Sequence, residues 1–300
     1  GKNMTVFERM MYATVSITIA CAVGIANYIY VPTESRLPSN TKTQKFISDT
    51  DQHNERVLRT LFPYEDKEYP LSVPLNMSYT TADFQKFQGT YLEKREAVSS
   101  DYLNRIAFCG DSITYHLGLP GRALADKTVI AYGGLAVTTY ANYTANPVYN
   151  QSDDIKTPIQ WLSQLKPEII YLNLGTNGIA IYPNDDHLRY YEKLLDKIAE
   201  ASPTSIIVLV AAPPWGTQSQ SITKTEIPVL NIKIDHYNMM LLELAKKRGY
   251  YFLNAAEVMK DAAGNLDRTY AASDIDGIHW SVAGRDLYIK YILEHPIPGY

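Results

Sequence analysis

A serine and an Asp/His pair are the residues of this chain best suited to chemistry. Ser112 closes a Gly-Asp-Ser triplet that follows the apolar run 106–109, and Asp276 and His279 stand three residues apart in a glycine-containing loop. That spacing lets one loop supply both a base for the serine proton and the carboxylate that orients this base. The pattern predicts acyl transfer through a nucleophilic serine.

Acyl transfer also needs hydrogen-bond donors where negative charge develops on the substrate oxygen. Three candidates follow strand-like runs: the backbone N–H of Ser112, the backbone N–H of Gly133 and the side-chain amide of Asn177. Gly134 is an open alternative to Gly133, one residue away. Glycine pairs and asparagines are also common in plain turns, so a purely structural role for these loops stays open.

His116 is the main rival of His279 as the base. It follows Ser112 by four residues, so the two side chains could share one face of a helix. The remaining histidines are expected to lie at the surface; they are His53, His187, His236 and His295.

Four motif blocks, in this order, resemble those of the SGNH (GDSL) hydrolase family. They are the triplet 110–112, Gly133, the Gly-Thr-Asn triplet 175–177 and the Asp-x-x-His element 276–279. The resemblance implies a serine esterase or acyltransferase, with Ser112 as nucleophile. It also implies a flavodoxin-like three-layer α/β/α sandwich around a five-stranded parallel sheet.

The periodicity of apolar residues predicts the same architecture independently. Strand-like runs cover residues 105–109, 128–132, 168–174, 205–212 and 250–254, and helix-like segments cover 155–165, 186–201, 229–248 and 282–294. Apolar strands that alternate with amphipathic helices predict a parallel sheet covered on both faces. Ligands of such sheets bind at the carboxyl ends of the strands, where the first three motif blocks lie. Ser281 and Gly249 are expected to cap helices.

Composition excludes several classes of function. The net charge is only −4 and no basic stripe is present, which argues against a nucleic-acid partner. No residues have metal-ligand spacing and no phosphate-binding glycine loop occurs, so we expect neither metal nor cofactor. The two cysteines, Cys21 and Cys109, lie in an apolar run and a predicted strand, which makes a disulfide implausible.

Residues 1–33 are expected to form a signal anchor. Residues 10–33 carry no charged side chain, and Lys2 and Arg9 precede them. About 20 apolar residues cross a bilayer, and a basic flank stays in the cytoplasm, so the catalytic domain would lie outside it. The alternative is a cleaved signal peptide and a secreted protein. A lipid-modified Cys21 and a buried helix are two further interpretations of this apolar run.

The remaining chain divides into two parts. Residues 34–100, rich in charge and proline, are expected to form a stem or linker with short helices at 46–62 and 82–98. Within it, residues 80–100 are expected to pack on the catalytic domain, because their aromatic side chains need cover. Residues 101–300 are the predicted hydrolase domain.

Two aromatic residues are candidates for lining the substrate site. Trp215 lies in a polar loop after the fourth strand and could stack on an acyl or sugar group, or the loop could be a mobile surface segment. Tyr132, with Tyr140 and Tyr143, could line a carbohydrate cleft, core filling being the alternative.

We therefore expect an extracytoplasmic serine esterase that removes an acyl group, acetyl by the resemblance, from a carbohydrate or small molecule. An O-acyltransferase acting on a cell-surface glycan and a non-catalytic glycan-binding module remain alternatives.

Overall fold

A parallel β-sheet forms the centre of the protein. The computed structural model describes residues 86–300, and its strands are β1 (Ile106–Gly110), β2 (Thr128–Ala131), β3 (Ile169–Asn173), β4 (Ile206–Val210) and β5 (Tyr251–Leu253). Their order is β2-β1-β3-β4-β5, with every neighbouring pair parallel. All residues of β1 and β3 are buried, as expected for strands covered on both faces. The predicted five-stranded parallel sheet is confirmed.

Helices cover both faces of this sheet. They are α1 (Ser112–Leu117), α2 (Pro158–Leu165), α3 (Asn184–Ala201), α4 (Ile227–Arg248) and α5 (Val282–Glu294). One apolar core packs α2, α3 and α4 against the sheet. A second core packs α1 and α5 against the opposite face. The predicted three-layer α/β/α sandwich is confirmed.

Local capping chemistry sets the ends of these helices. Ser281 Oγ accepts the Gly284 N–H at 3.1 Å and begins α5, and Gly249 ends α4 with φ of 69°, both as predicted. α2 begins at Pro158 and not at 155, because Thr157 caps it in a reciprocal box with Gln160.

In the segment before β1, the helix predicted at 82–98 does not form over residues 91–98. It is extended there, and residues 90–92 pair with the edge of β5: Phe252 donates its N–H to the Thr90 carbonyl, and Leu92 donates to the Phe252 carbonyl. Phe87 and Leu92 are buried, so the expected packing of this segment on the domain is observed, by edge pairing and not by a helix. The predicted helix at 46–62 and the signal anchor at 1–33 lie outside the described residues.

Three histidines predicted to be at the surface are buried, namely His187, His236 and His295. His187 packs against Tyr237 with 4.8 Å between ring centroids, and burial, helped by Lys233, lowers its pKa to about 3. The protein encloses all three side chains, so the prediction was wrong for them; His53 lies outside the described residues. Within residues 86–300, no helix is long and apolar enough to span a membrane.

Candidate active site

The nucleophile candidate stands where β1 turns into α1. Asp111 caps α1, because its Oδ1 accepts the Ile113 N–H at 3.0 Å. Gly110 is required by close packing, since a Cβ there would lie 2.6 Å from the Asn173 carbonyl oxygen. Ser112 is therefore the first helical residue at the carboxyl edge of the sheet, where it is half-buried.

The structure brings Ser112, His279 and Asp276 together in one hydrogen-bonded chain. His279 Nε2 lies 2.8 Å from Ser112 Oγ, and His279 Nδ1 lies 2.7 Å from Asp276 Oδ2. Ser112 and His279 are 167 residues apart in the sequence, so the fold itself creates the contact. This is the arrangement of a nucleophile, a general base and a carboxylate that orients the base.

The hydrogen bonds of Asp276 decide which nitrogen of His279 carries the proton. Asp276 Oδ1 accepts the N–H groups of Ile278 and His279 at 2.9 and 3.0 Å. Burial raises the pKa of Asp276, but these bonds and the His279 side chain outweigh it and lower the pKa overall. An ionised carboxylate only accepts hydrogen bonds, so His279 Nδ1 is the donor and Nε2 is free to accept from the Ser112 hydroxyl.

A neighbouring loop holds the Asp276–His279 loop in place. Gly216 donates its N–H to the Gly277 carbonyl at 2.8 Å, and Gly277 donates its own to Ser219 Oγ at 2.6 Å. The two loops touch through glycines, because a Cβ on Gly277 would lie 2.7 Å from Gly216 Cα. Ser219 was not singled out from the sequence, where nothing marks a polar residue 58 positions away as a partner.

Trp215 lies in the loop that supports the Asp276–His279 loop, and its ring does not offer a stacking surface. It is 5% exposed and packs in the core. Its backbone N–H donates to Asn231 Oδ1 at 2.8 Å, and Asn231 Nδ2 donates to its carbonyl at 2.9 Å. The expectation that Trp215 lines the substrate site is therefore wrong: paired amide bonds turn its side chain inward.

His116 flanks His279 instead of contacting the nucleophile. The two imidazole rings are 4.7 Å apart between centroids. Burial lowers the pKa of His116, and the nearby His279, Arg122 and Arg285 lower it further, against a raising effect of Asp276. The His116 ring therefore packs on the base, whereas Ser112 Oγ bonds to His279.

Besides Ser112 itself, the candidate donors of the oxyanion hole lie in the loops that follow β2 and β3. Asn177 Nδ2 gives one hydrogen to the Leu135 carbonyl at 3.0 Å, which leaves its second hydrogen available. Gly134 has φ of 75°, a conformation that favours glycine, so the turn itself requires Gly134. Gly133 is exposed, and a Cβ on it would meet nothing within 4 Å. Within the described residues neither glycine N–H has a backbone acceptor, so Gly133 stays the predicted donor and Gly134 the alternative.

Aromatic rings cluster beside this loop. Tyr132 stacks on Tyr143 at 5.4 Å between ring centroids and meets the edge of Tyr115 at 5.2 Å. Tyr132 is half-buried, in keeping with a lining role. Tyr140 is fully buried and donates to the Ile130 carbonyl at 2.7 Å, so it fills the core. Tyr115 was missed, although its position three residues after Ser112 on α1 is a usable signal.

Comparison with known proteins identifies the family. The model of the GDSL-like lipase/acylhydrolase family matches residues 108–287. The chain belongs to this family. It is accordingly a serine hydrolase that acts on carboxylic esters, and the family resemblance read from the motifs is confirmed.

Solved structures of similar fold are more distant. A GDSL-like lipase from Bacteroides thetaiotaomicron is 17% identical, with a TM-score of 0.47, over 70% of this chain and 94% of that chain. A family 3 carbohydrate esterase from Talaromyces cellulolyticus is 16% identical, with a TM-score of 0.43, over 62% of this chain and 93% of that one. No curated protein matched the sequence.

Among residues 86–300, no group of three or more His, Cys, Asp or Glu side chains is placed to hold a metal ion.

Proposed function

We propose that this esterase removes an acetyl or other short acyl group from a carbohydrate or small alcohol, through an acyl-enzyme on Ser112. The observation that carries the proposal is the unbroken hydrogen-bond chain from Ser112 Oγ through His279 to Asp276, at 2.8 and 2.7 Å. Each distance lies within the range that proton transfer requires.

The first half-reaction follows from this geometry. Ser112 Oγ attacks the ester carbonyl while His279 Nε2 takes the hydroxyl proton, and the Asp276 carboxylate stabilises the imidazolium that results. The carbonyl oxygen becomes negatively charged. The N–H groups of Ser112 and Gly133 and the Asn177 amide stabilise it by donating hydrogen bonds. The carbon–oxygen bond to the alcohol then breaks, and His279 delivers the proton to the departing oxygen.

Water completes the cycle. His279 accepts a proton from a water molecule, the hydroxide attacks the acyl carbon, and the proton returns to Ser112 Oγ as the carboxylic acid leaves. The cluster of Tyr115, Tyr132 and Tyr143 supports a carbohydrate as the alcohol, because aromatic faces pack well against the apolar faces of sugar rings.

Replacing Ser112 by alanine tests the proposal. The wild-type protein should hydrolyse p-nitrophenyl acetate faster than longer-chain esters, release acetate from acetylated oligosaccharides and react with a fluorophosphonate probe. Ser112→Ala should lose all three activities, whereas Ser221→Ala, at an exposed serine, should keep them. Hydrolysis by purified, folded Ser112→Ala would exclude the acyl-enzyme. Transfer of the acyl group to an added sugar, in preference to water, would reassign the enzyme as an acyltransferase.

We also propose that residues 10–33 anchor the enzyme in a membrane, with the esterase domain outside the cytoplasm. The support is their lack of charge and the basic residues Lys2 and Arg9 before them. The full-length protein should sediment with membranes, and external protease should release an active domain by cutting near residues 32–40. Deletion of residues 1–33 should leave a soluble, active esterase. Recovery of the full-length protein in the soluble cytoplasmic fraction would reject the anchor.

A further inference from the structure

Two arginines are hydrogen-bonded to the backbone of residues that neighbour His279. Arg122 Nη1 donates to the His116 carbonyl at 2.9 Å, and the His116 ring packs on His279. Arg285 Nη1 donates to the carbonyl of Trp280 at 2.8 Å, the residue that follows His279. Each guanidinium thus uses one of its donors on the backbone of the active site and keeps the others.

Within residues 86–300, neither of these guanidiniums has a carboxylate within ion-pair distance, and both side chains are half-buried. Other arginines of the domain are paired: Arg105 lies 3.3 Å from Glu168, and Arg248 lies 2.6 Å from Asp196.

The two charges also influence each other. Burial lowers the pKa of Arg285 and Arg122 lowers it further, while the neighbouring carboxylate of Asp286 raises it without forming an ion pair. Like charges repel each other, and an anion bound by both guanidiniums would relieve that repulsion.

The position of the pair indicates which part of a substrate would meet it. Arg122 follows α1 and Arg285 lies on α5, the two helices on one face of the sheet. Both are hydrogen-bonded to the backbone of residues that neighbour His279: His116, whose ring packs on His279, and Trp280, which follows it. His279 gives its proton to the departing alcohol, so the alcohol portion lies near His279.

We propose that Arg122 and Arg285 bind a negatively charged group, a carboxylate or a phosphate, on the alcohol portion of the ester. This inference rests on the proposed esterase mechanism and adds a substrate class to it, acylated acidic sugars or sugar phosphates. Guanidinium groups suit this task because their planar donors match the oxygens of carboxylates and phosphates. His116 connects Arg122 to the base, because its carbonyl accepts from Arg122 and its ring packs on His279.

Matched substrates test the proposal. The wild-type enzyme is given O-acetylated galacturonic acid, its uncharged methyl ester and an O-acetylated glucose phosphate. We expect kcat/KM for the charged acid to exceed that for the methyl ester by about tenfold or more at low salt, and this ratio to fall as salt screens the partly exposed charges. A preference for only the acid or only the phosphate identifies which anion the site takes.

Variants connect this preference to the two arginines. Arg122→Gln combined with Arg285→Gln should bring the ratio of acid to methyl ester close to one. Arg189→Gln, at an exposed arginine on α3 with a carboxylate partner, should leave the ratio as in the wild type. Equal loss on both esters in the double variant would make the arginines structural and overturn the proposal.

The wild-type measurement decides even if the double variant does not fold. A wild-type enzyme that prefers neither anion over the methyl ester refutes the anion site, as does a ratio that salt does not change. Such a result leaves the esterase mechanism intact. That mechanism is tested separately, by whether release of acetate from the uncharged methyl ester depends on Ser112.

Discussion

Replacing Asp276 by asparagine separates the two tasks of this side chain. Asp276 Oδ1 accepts the N–H groups of Ile278 and His279 and so shapes the loop, while Oδ2 receives the His279 Nδ1 hydrogen. Asparagine keeps an oxygen for the loop but presents an NH₂ group to Nδ1. The imidazole must then place its hydrogen on Nε2, facing Ser112, where it can no longer accept the serine proton.

The size of the effect follows from this change of tautomer. In a Ser-His-Asp protease the same exchange lowers kcat by about 10⁴. The Asp276 side chain is 34% exposed, so water can partly stabilise the productive tautomer, and we expect a loss of roughly 10³ to 10⁴ in kcat, about 4 to 5 kcal/mol of barrier. KM should change much less, because Asp276 acts through His279 and not on the substrate.

The assay uses a matched control from the same loop. Asp274→Asn removes a carboxylate whose side chain is 100% exposed and should keep nearly full activity. Hydrolysis of p-nitrophenyl acetate is measured for both variants across pH, with thermal unfolding followed by circular dichroism to show that each folds. A loss of less than about tenfold in Asp276→Asn, or equal losses in the two variants, would refute the assignment of Asp276 as the orienting carboxylate.

Three further outcomes are expected. His279→Ala should abolish turnover while His116→Ala only reduces it, since Ser112 bonds to His279; steady-state kinetics that show similar losses would reassign the base. Asn177→Ala should lower kcat by about two orders of magnitude with a smaller change in KM, as expected for a transition-state donor, and a change confined to KM would make it a binding residue. Burial raises the pKa of Glu257 to about 7, although a hydrogen bond from Tyr291 opposes this. Because the usual glutamate pKa is about 4.3, folding stability is lost as pH rises from there to 7. Glu257→Gln should therefore melt at a higher temperature than the wild type at alkaline pH and no higher at acidic pH; a gain of equal size at both would contradict the shift.

The sheet and the nucleophile could be predicted because their signals are local. Each strand is a short apolar run, and the run before Ser112 is followed at once by a glycine that close packing with β3 requires. The closeness of Ser112 to His279 rested on the family resemblance, because the loop of His279 does not directly follow a strand. Ser112, Gly133 and Asn177 could be placed at one edge from topology, since the ends of parallel strands share that edge of the sheet. Tyr132 could be placed near the site by the same argument, as it directly follows β2.

Burial decided by distant contacts could not be predicted. Trp215 has the flanking prolines and polar residues of an exposed loop, yet Asn231 clamps its peptide and turns the ring into the core. His187 lies beside an acidic residue on α3, a pattern typical of a surface, but its side chain packs on Tyr237 of α4. In both cases the deciding partner is on α4, and nothing in the local sequence reveals it.

The glycines of the site show how local chemistry and distant packing combine. Gly277 looks like a turn residue in the sequence, but its value lies in allowing Gly216 to approach until their backbones bond at 2.8 Å. That approach brings Ser219 Oγ to the Gly277 N–H and so fixes the loop that carries both Asp276 and His279. An added methyl group at Gly277 would separate the loops, and a shift of even 1 Å at His279 is enough to cost catalysis on the order of a hundredfold. The precision of the site therefore depends as much on the contact between these two loops as on the three side chains that would perform the reaction.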